Sequence, residues 1–158
     1  RSDSSAASDV YKRQINKFGK INEVLTKGDE ILIQVVKEPI STKGPRVTTE
    51  LSLAGRYLIL VSFSETINVS KKITKREERM RLINLIKSIR PKNFGVIVRT
   101  VAENKSVSEL DKDLQSLTSI WKEGVKKIKK AKVGEKIIGE ENKATSLLRD
   151  IYLKLILR

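Results

Sequence analysis

The chain contains no cysteine and no histidine in its 158 residues. Those two absences remove thiolate nucleophiles, disulfides, imidazole bases and the usual zinc ligands. Any catalysis would therefore have to come from carboxylates and a hard metal. Close carboxylate pairs occur at Asp111 with Asp113 and at Glu140 with Glu141. The first pair falls within a helical pattern and the second beside a turn signal, and no catalytic or metal-ligating residue is assigned. No apolar run approaches the ~18 residues that a spanning helix needs. No hydrophobic segment of signal-peptide type follows the charged start, so a cytoplasmic location is the expectation. Repeats and coiled-coil heptads are also missing, and the length suits one ordinary domain or two small ones.

Acidic residues are scarce beside basic ones. Lys and Arg number 33 against 19 Asp and Glu, giving a net charge of +14 and a pI near 10.0. Such an excess of positive potential attracts polyanions, and nucleic acid is the leading partner. A hydrophobic content of 39% is enough for a modest core.

Residues Arg1 to Gln14 are polar, without apolar periodicity, and read as a tail or cloning scar ahead of a domain that begins near Ile15. From Glu30 to Lys37 the Ile and Val content predicts a well-buried strand that ends at Glu38-Pro39. The segment Ser41 to Arg46, with Gly44-Pro45, then predicts a turn that places the positive charge of Lys43 and Arg46 at its tip. Val47 to Leu53, Arg56 to Phe63 and Gly95 to Thr100 read as further extended segments. Between the last two lies a helix with Thr74 and Glu77 as capping box. Its apolar stripe is Met80, Leu82, Ile83, Ile86 and Ile89, and Arg90-Pro91 stops it. A second helix opens on the capping box Ser106/Glu109, with Leu110, Leu114, Leu117, Trp121, Val125 and Ile128 on one side. Lys122, Lys126, Lys127, Lys129, Lys130 and Lys132 form a solvated face at its negative dipole end. Lys136 to Gly139 predicts a short strand, and a last helix is expected from about Asn142, with Leu147, Leu148, Ile151 and Leu155 aligned. That stripe has no visible partner, so the chain is expected to be cut from a longer one.

Three features point to phosphate chemistry, each with a plainer alternative. The loop Thr42 to Arg46, with Lys37 before it, offers cations and exposed amides to a phosphodiester chain, or is a solvated hairpin turn. Arg99-Thr100 at the end of an apolar strand offers a guanidinium fork and a hydroxyl, or an Arg99–Glu103 ion pair. Gly55 would let a ligand approach the main chain, or is a turn glycine between strands.

The stretch TKGPRVTTELSLAGRYLIL (Thr42 to Leu60), followed in order by NVSKKI (Asn68 to Ile73), GVIVRTVAENKS (Gly95 to Ser106) and LLRD (Leu147 to Asp150), resembles the ribonuclease E/G family of bacterial endoribonucleases. The resemblance covers roughly Ile31 to Ile151. It implies an α+β fold in which residues 15–50 are the end of an OB-fold RNA-binding module. Residues 51–145 would form a 5′-sensor region, and residues 146–158 the start of an RNase H-like subdomain. It places Lys37 and Lys43 on basic positions of the RNA-binding module, with Arg46 beside them. Gly55 and Ile59 fall on the small and aliphatic positions of the sensor pocket, and Arg99 and Thr100 on the pair that grips a 5′-monophosphate. Lys71 and Lys72 stand where relatives often carry Arg, which keeps the charge but loses the planar fork.

The same resemblance implies single-stranded RNA as partner, a homo-oligomeric parent, and roles in rRNA and mRNA processing and decay. The parent's magnesium-binding aspartates and zinc-sharing cysteines are expected beyond this chain, and the base-stacking aromatics before Ile31, where within the domain that begins near Ile15 only Phe18 precedes the strand. Weak RNA binding without cleavage is the expectation. The alternative is a free-standing basic RNA-binding module without nuclease activity. A binder of anionic membranes through the Lys122 to Lys136 helix is the non-nucleic-acid reading.

Overall fold

The computed structural model describes residues 20–139. The tail 1–14, Phe18, the Glu140–Glu141 pair and the closing helix from Asn142 lie outside the described residues. In chain order the elements are α1 (Ile21–Val24), β1 (Gln34–Lys37), β2 (Arg46–Thr48), β3 (Ser52–Ala54), β4 (Leu58–Ser62), β5 (Ile67–Val69), α2 (Arg76–Ile89), β6 (Phe94–Val98) and α3 (Val107–Ile128). A single 3-10 turn, Thr100–Ala102, follows β6. The class is α+β, in two sheets that do not close: an antiparallel β1-β2 pair and a four-stranded sheet ordered β3-β4-β6-β5. Among the described residues no helix is long and apolar enough to cross a membrane.

The four-stranded sheet carries the core. β4 and β6 pair antiparallel with Leu58 opposite Val98 and Leu60 opposite Val96, and all four side chains are buried. The period of two then turns Ile59 and Ile97 to the other face, where both are half-buried. α2 packs on β5 and α3 on β4 and β3, bringing Leu82, Ile86, Leu110, Leu114 and Leu117 into the same cluster. Burying each such Leu or Ile contributes about 1.5–3 kcal/mol. Trp121 of α3 meets Phe63 and Phe94 edge-on, at 6.2 and 5.5 Å between centroids.

Punctuation explains α3 better than α2. Ser106 and Glu109 form the full reciprocal capping box that the sequence predicts. Thr74 does not cap α2: the N-cap is Lys75, without a side-chain bond, and Glu77 and Glu78 in the first turn complement the dipole instead. Met80 leaves the stripe and is half exposed, while Leu82 and Ile86 are buried. At the other end α2 stops at Arg90-Pro91 as predicted. There Arg90 Nη1 donates to the carbonyls of Glu65 and Phe94, at 3.1 and 2.9 Å.

Three further expectations are corrected. The strand read from Glu30 is only Gln34–Lys37 and is not well buried: Val35 and Val36 are 54% and 55% exposed. Its partner is three residues long with a register shift between Val35 and Lys37, and no second layer among the described residues covers it. The segment Ser41 to Arg46 does hold the turn between β1 and β2, but its tip is Ser41-Thr42, not the cations Lys43 and Arg46. Ile40 and Lys43 exchange both backbone bonds, at 3.1 and 3.0 Å, and Ser41 takes φ +52°, as a two-residue loop demands. Lys136 to Gly139 is not a strand; Ile137 and Ile138 are half-buried, and Ile138 lies over Gly124 of α3, where a Cβ would collide with it. The six lysines at the end of α3 are exposed, the solvated face expected of them.

Glu78 ties α2 to the loop that leads into α3. Its carboxylate accepts both Arg81 Nε and Nη2 at 2.7 Å and the Asn104 amide at 2.9 Å, and Arg81 Nη2 also donates to the Lys105 carbonyl at 3.0 Å. Arg81 foremost, with the Asn104 amide, holds the Glu78 carboxyl down to about 2 from 4.5. A carboxyl depressed in the folded state stabilises it above its unfolded value, and that contribution is lost as pH falls through the folded value. Urea midpoints should therefore drop between pH 4.5 and about 2, and Glu78→Gln should make that drop shallower. An equally steep drop in the variant would remove Glu78 from the account.

Candidate phosphate-binding rim

Sheet order decides what meets at one end. β6 is interior, antiparallel to β4 and parallel to β5, so the end of β6 lies between the start of β4 and the end of β5. Three loops converge there: Gly55 to Tyr57 before β4, Ser70 to Lys72 after β5, and Arg99-Thr100 after β6. Ile59 and Ile97, cross-strand partners, form an apolar floor on the outer face just below.

Arg99 reaches to one side. Its Nη1 donates to the Gly55 carbonyl at 2.7 Å and the Arg56 carbonyl at 3.0 Å, and its backbone amide donates to the Tyr57 carbonyl at 2.9 Å. Both guanidinium bonds use Nη1, and Nε and Nη2 have no partner among the described residues. The pairing with Glu103 considered from sequence is not formed. Thr100 reaches to the other side, its Oγ1 lying 2.9 Å from Ser70 Oγ. Arg99, Thr100, Lys71 and Lys72 are exposed.

Ser70, Arg79 and Asp113 had no place in the sequence reading of this site. Arg79 of α2 donates Nη1 to the carbonyls of Ser70 and Ile73 at 2.7 and 3.0 Å, and Nη2 to that of Val69 at 3.3 Å. It thereby tethers the loop that carries Lys71 and Lys72. Asp113 of α3 accepts the Arg56 amide on Oδ1 at 3.1 Å and the Tyr57 and Leu58 amides on Oδ2, each at 2.9 Å. It is thus engaged with backbone, and Asp111 accepts Gln115 Nε2 at 2.6 Å.

One turn before Asp113, Glu109 braces the same loop. Its carboxyl is held down to about 2 by the Ser106 amide first, then by the Ser106 hydroxyl and Lys105. It also accepts the Tyr57 hydroxyl at 3.4 Å. The Tyr57 ring lies 5.1 Å from the Arg56 guanidinium and 5.6 Å from Lys105 Nζ, within cation–π range.

Lys37, Lys43 and Arg46 do not join this rim. Lys37 and Arg46 face each other across β1-β2, and Lys43 closes the Ser41-Thr42 turn. The two regions are coupled through Gln34, whose side-chain amide bonds both the N–H and the C=O of Ser52, at 2.8 and 3.0 Å. Ser52 lies three residues before Gly55.

A Cβ at Gly55 would sit 2.7 and 2.8 Å from the Asp113 carboxylate oxygens. Those atoms can move aside only by giving up their amide bonds. Gly55→Ala should therefore lower stability by roughly 1–3 kcal/mol, measured as a shift of the urea midpoint. An unchanged midpoint would show that the carboxylate relaxes freely.

Comparison with known proteins agrees with the resemblance. Residues 52–157 match the model of the Ribonuclease E/G family. The chain is 36% identical over 134 residues to Ribonuclease G of Haemophilus influenzae, covering 85% of this chain and 27% of that protein. It is 40% identical over 103 residues to Ribonuclease E of Synechocystis, covering 65% of this chain and 15% of the relative. It is also 42% identical over 116 residues to a chloroplastic ribonuclease E/G-like protein of Arabidopsis thaliana, covering 73% of this chain and 11% of the relative. The chain thus spans no more than 27% of the length of these curated relatives. Within that span it belongs to the ribonuclease E/G family.

Proposed function

We propose that this chain is the RNA-binding and 5′-monophosphate-sensing part of a ribonuclease E/G-type endoribonuclease acting on single-stranded RNA. The observation that carries the reading is the placement of Arg99 and Thr100 side by side at the sheet end, each fixed from a different neighbouring loop. Arg99 is anchored through Nη1 alone, and its Nε and Nη2 edge grips the terminal phosphate by charge-assisted bonds. Thr100 adds a hydroxyl, and Gly55 and Ile59 line the approach. Lys71 and Lys72 contribute positive potential, and Lys37, Lys43 and Arg46 take the backbone of the same RNA. A triphosphate crowds a site shaped for one phosphoryl group, and a hydroxyl end leaves the donors unmatched.

In this reading residues 15–50 end the OB-type module, residues 51–145 form the sensor, and residues 146–158 lead into the catalytic subdomain of a homo-oligomeric parent. The sensor's contribution is placement of the RNA, not bond cleavage. Among the described residues no group of three or more acidic side chains is arranged to hold a metal ion, and the chain has no cysteine for a shared zinc. This reading assigns magnesium chemistry and zinc to residues of the parent outside this set and expects the chain alone to cut nothing.

Short single-stranded RNAs of one sequence with 5′-monophosphate, 5′-triphosphate and 5′-hydroxyl ends test the proposal. The monophosphate should bind tightest, by about tenfold over the hydroxyl, and Arg99→Ala should abolish that margin while leaving 5′-hydroxyl RNA unaffected. Equal affinities for all three ends, unchanged by the substitution, would overturn the sensor reading. Steep salt dependence would then report only generic attraction to the phosphate backbone.

A further inference from the structure

We infer that Asp113 is a positioning residue for the 5′-phosphate site, acting through the Gly55 to Leu58 loop on Arg99. This rests on the sensor reading given above. Arg99 is exposed, and a long side chain on a surface has many rotamers to lose. What holds it is the pair of carbonyls of Gly55 and Arg56, both accepting from Nη1. Those carbonyls point at Arg99 only while the intervening peptide units keep their orientation, and the N–H groups of Arg56, Tyr57 and Leu58 are the opposite ends of that loop's peptides. All three donate to the one carboxylate of Asp113, within 3.1 Å.

The chain of dependence is short and covalently stiff. The peptide joining Gly55 to Arg56 is planar, with its N–H on Asp113 and its C=O on Arg99, so it cannot rotate without breaking one bond at each end. The next peptide, from Arg56 to Tyr57, is held in the same way. Two peptide planes therefore connect the Asp113 carboxylate to the Arg99 guanidinium. Gly55 belongs to the same device, because any Cβ there would meet the carboxylate.

Asp113→Asn is nearly isosteric but turns one acceptor oxygen into a donor NH2. An amide that keeps its oxygen toward Tyr57 and Leu58 faces the Arg56 N–H with another donor, and the Arg56 peptide is released. The expected result is a fall of roughly tenfold in affinity for a 5′-monophosphorylated RNA decamer. Affinity for the 5′-hydroxyl decamer should stay unchanged at a temperature below both unfolding transitions. In the Arg99→Ala background, Asp113→Asn should have no further effect on end preference, because its influence runs through the guanidinium. A merely structural role would instead weaken both RNAs together and add to the Arg99 effect.

The outcomes separate cleanly. A wild-type chain without end preference overturns the sensor reading and this inference with it. A wild-type preference that survives Asp113→Asn overturns the role of Asp113 alone. If the variant does not fold, the wild-type chain decides through the amide resonances of Arg56, Tyr57 and Leu58. These should shift with the 5′-monophosphorylated decamer and not with the 5′-hydroxyl decamer, and their indifference to both would overturn the inference.

Discussion

The backbone of Gly55 to Leu58 has four N–H and four C=O groups at the tip of the β3-β4 hairpin, and every one is matched. The Gly55 amide bonds the Leu58 carbonyl within the turn at 2.7 Å. The Arg56, Tyr57 and Leu58 amides go to Asp113. The Gly55 and Arg56 carbonyls go to the Arg99 guanidinium and the Tyr57 carbonyl to the Arg99 amide. The amide side of the tip is part-buried against α3, and an unpaired backbone group buried there would cost as much as a lost hydrogen bond. The acceptor comes from a helix more than fifty residues later and the donors from the strand between, so this one junction requires β4, β6 and α3 to be in place together. The β3-β4-β6 order and the burial of Leu58 and Val98 behind the tip follow the same requirement.

That junction also explains why position 99 is served by arginine. A guanidinium has five donors in a rigid plane, so one nitrogen can lock onto two carbonyls while another edge stays directed outward. Lysine has its three donors on one nitrogen and no second planar edge to present to a ligand. Lys71 and Lys72 differ in kind. Their loop is fixed by Arg79 acting on the carbonyls of Val69, Ser70 and Ile73, and both lysines are exposed.

Local pattern made some of this legible. The Ser106/Glu109 box and the Leu110, Leu114, Leu117 stripe are contiguous signals, and α3 follows them closely. Arg90-Pro91 likewise stops α2. Gly55, Arg99 and Thr100 are legible as phosphate-site candidates from the residues themselves and Ile59 only from family likeness, and the reason they converge lies in the sheet order. Asp113 was read as a helical acid because its partners are backbone amides fifty-five to fifty-seven residues away, and an amide has no sequence signature. Arg79 was invisible for the same reason. The Ile and Val run before Pro39 misled because composition reports a capacity for burial, whereas burial itself needs a covering layer. Thr74 and Glu77 had the spacing of a box, yet Glu78 rather than Glu77 became the acid that matters, drawn by Arg81 and Asn104 from outside the first turn.

A carboxylate directly behind the proposed phosphate site looks self-defeating by Coulomb's law, and the geometry answers the objection. Three successive amides converging on one point form a nest that attracts anions. Left open, such a nest would compete with Arg99 for a terminal phosphate and hold it against the backbone, away from Thr100. Asp113 fills it permanently, with more lone pairs than a hydroxyl or amide could offer to three donors. Its oxygens are engaged by those amides, while Arg99, Lys71 and Lys72 are exposed. On the proposed reading, the donors left to a phosphate are the guanidinium edge and the Thr100 hydroxyl, and the internal anion that plugs one site would direct the external anion to the other.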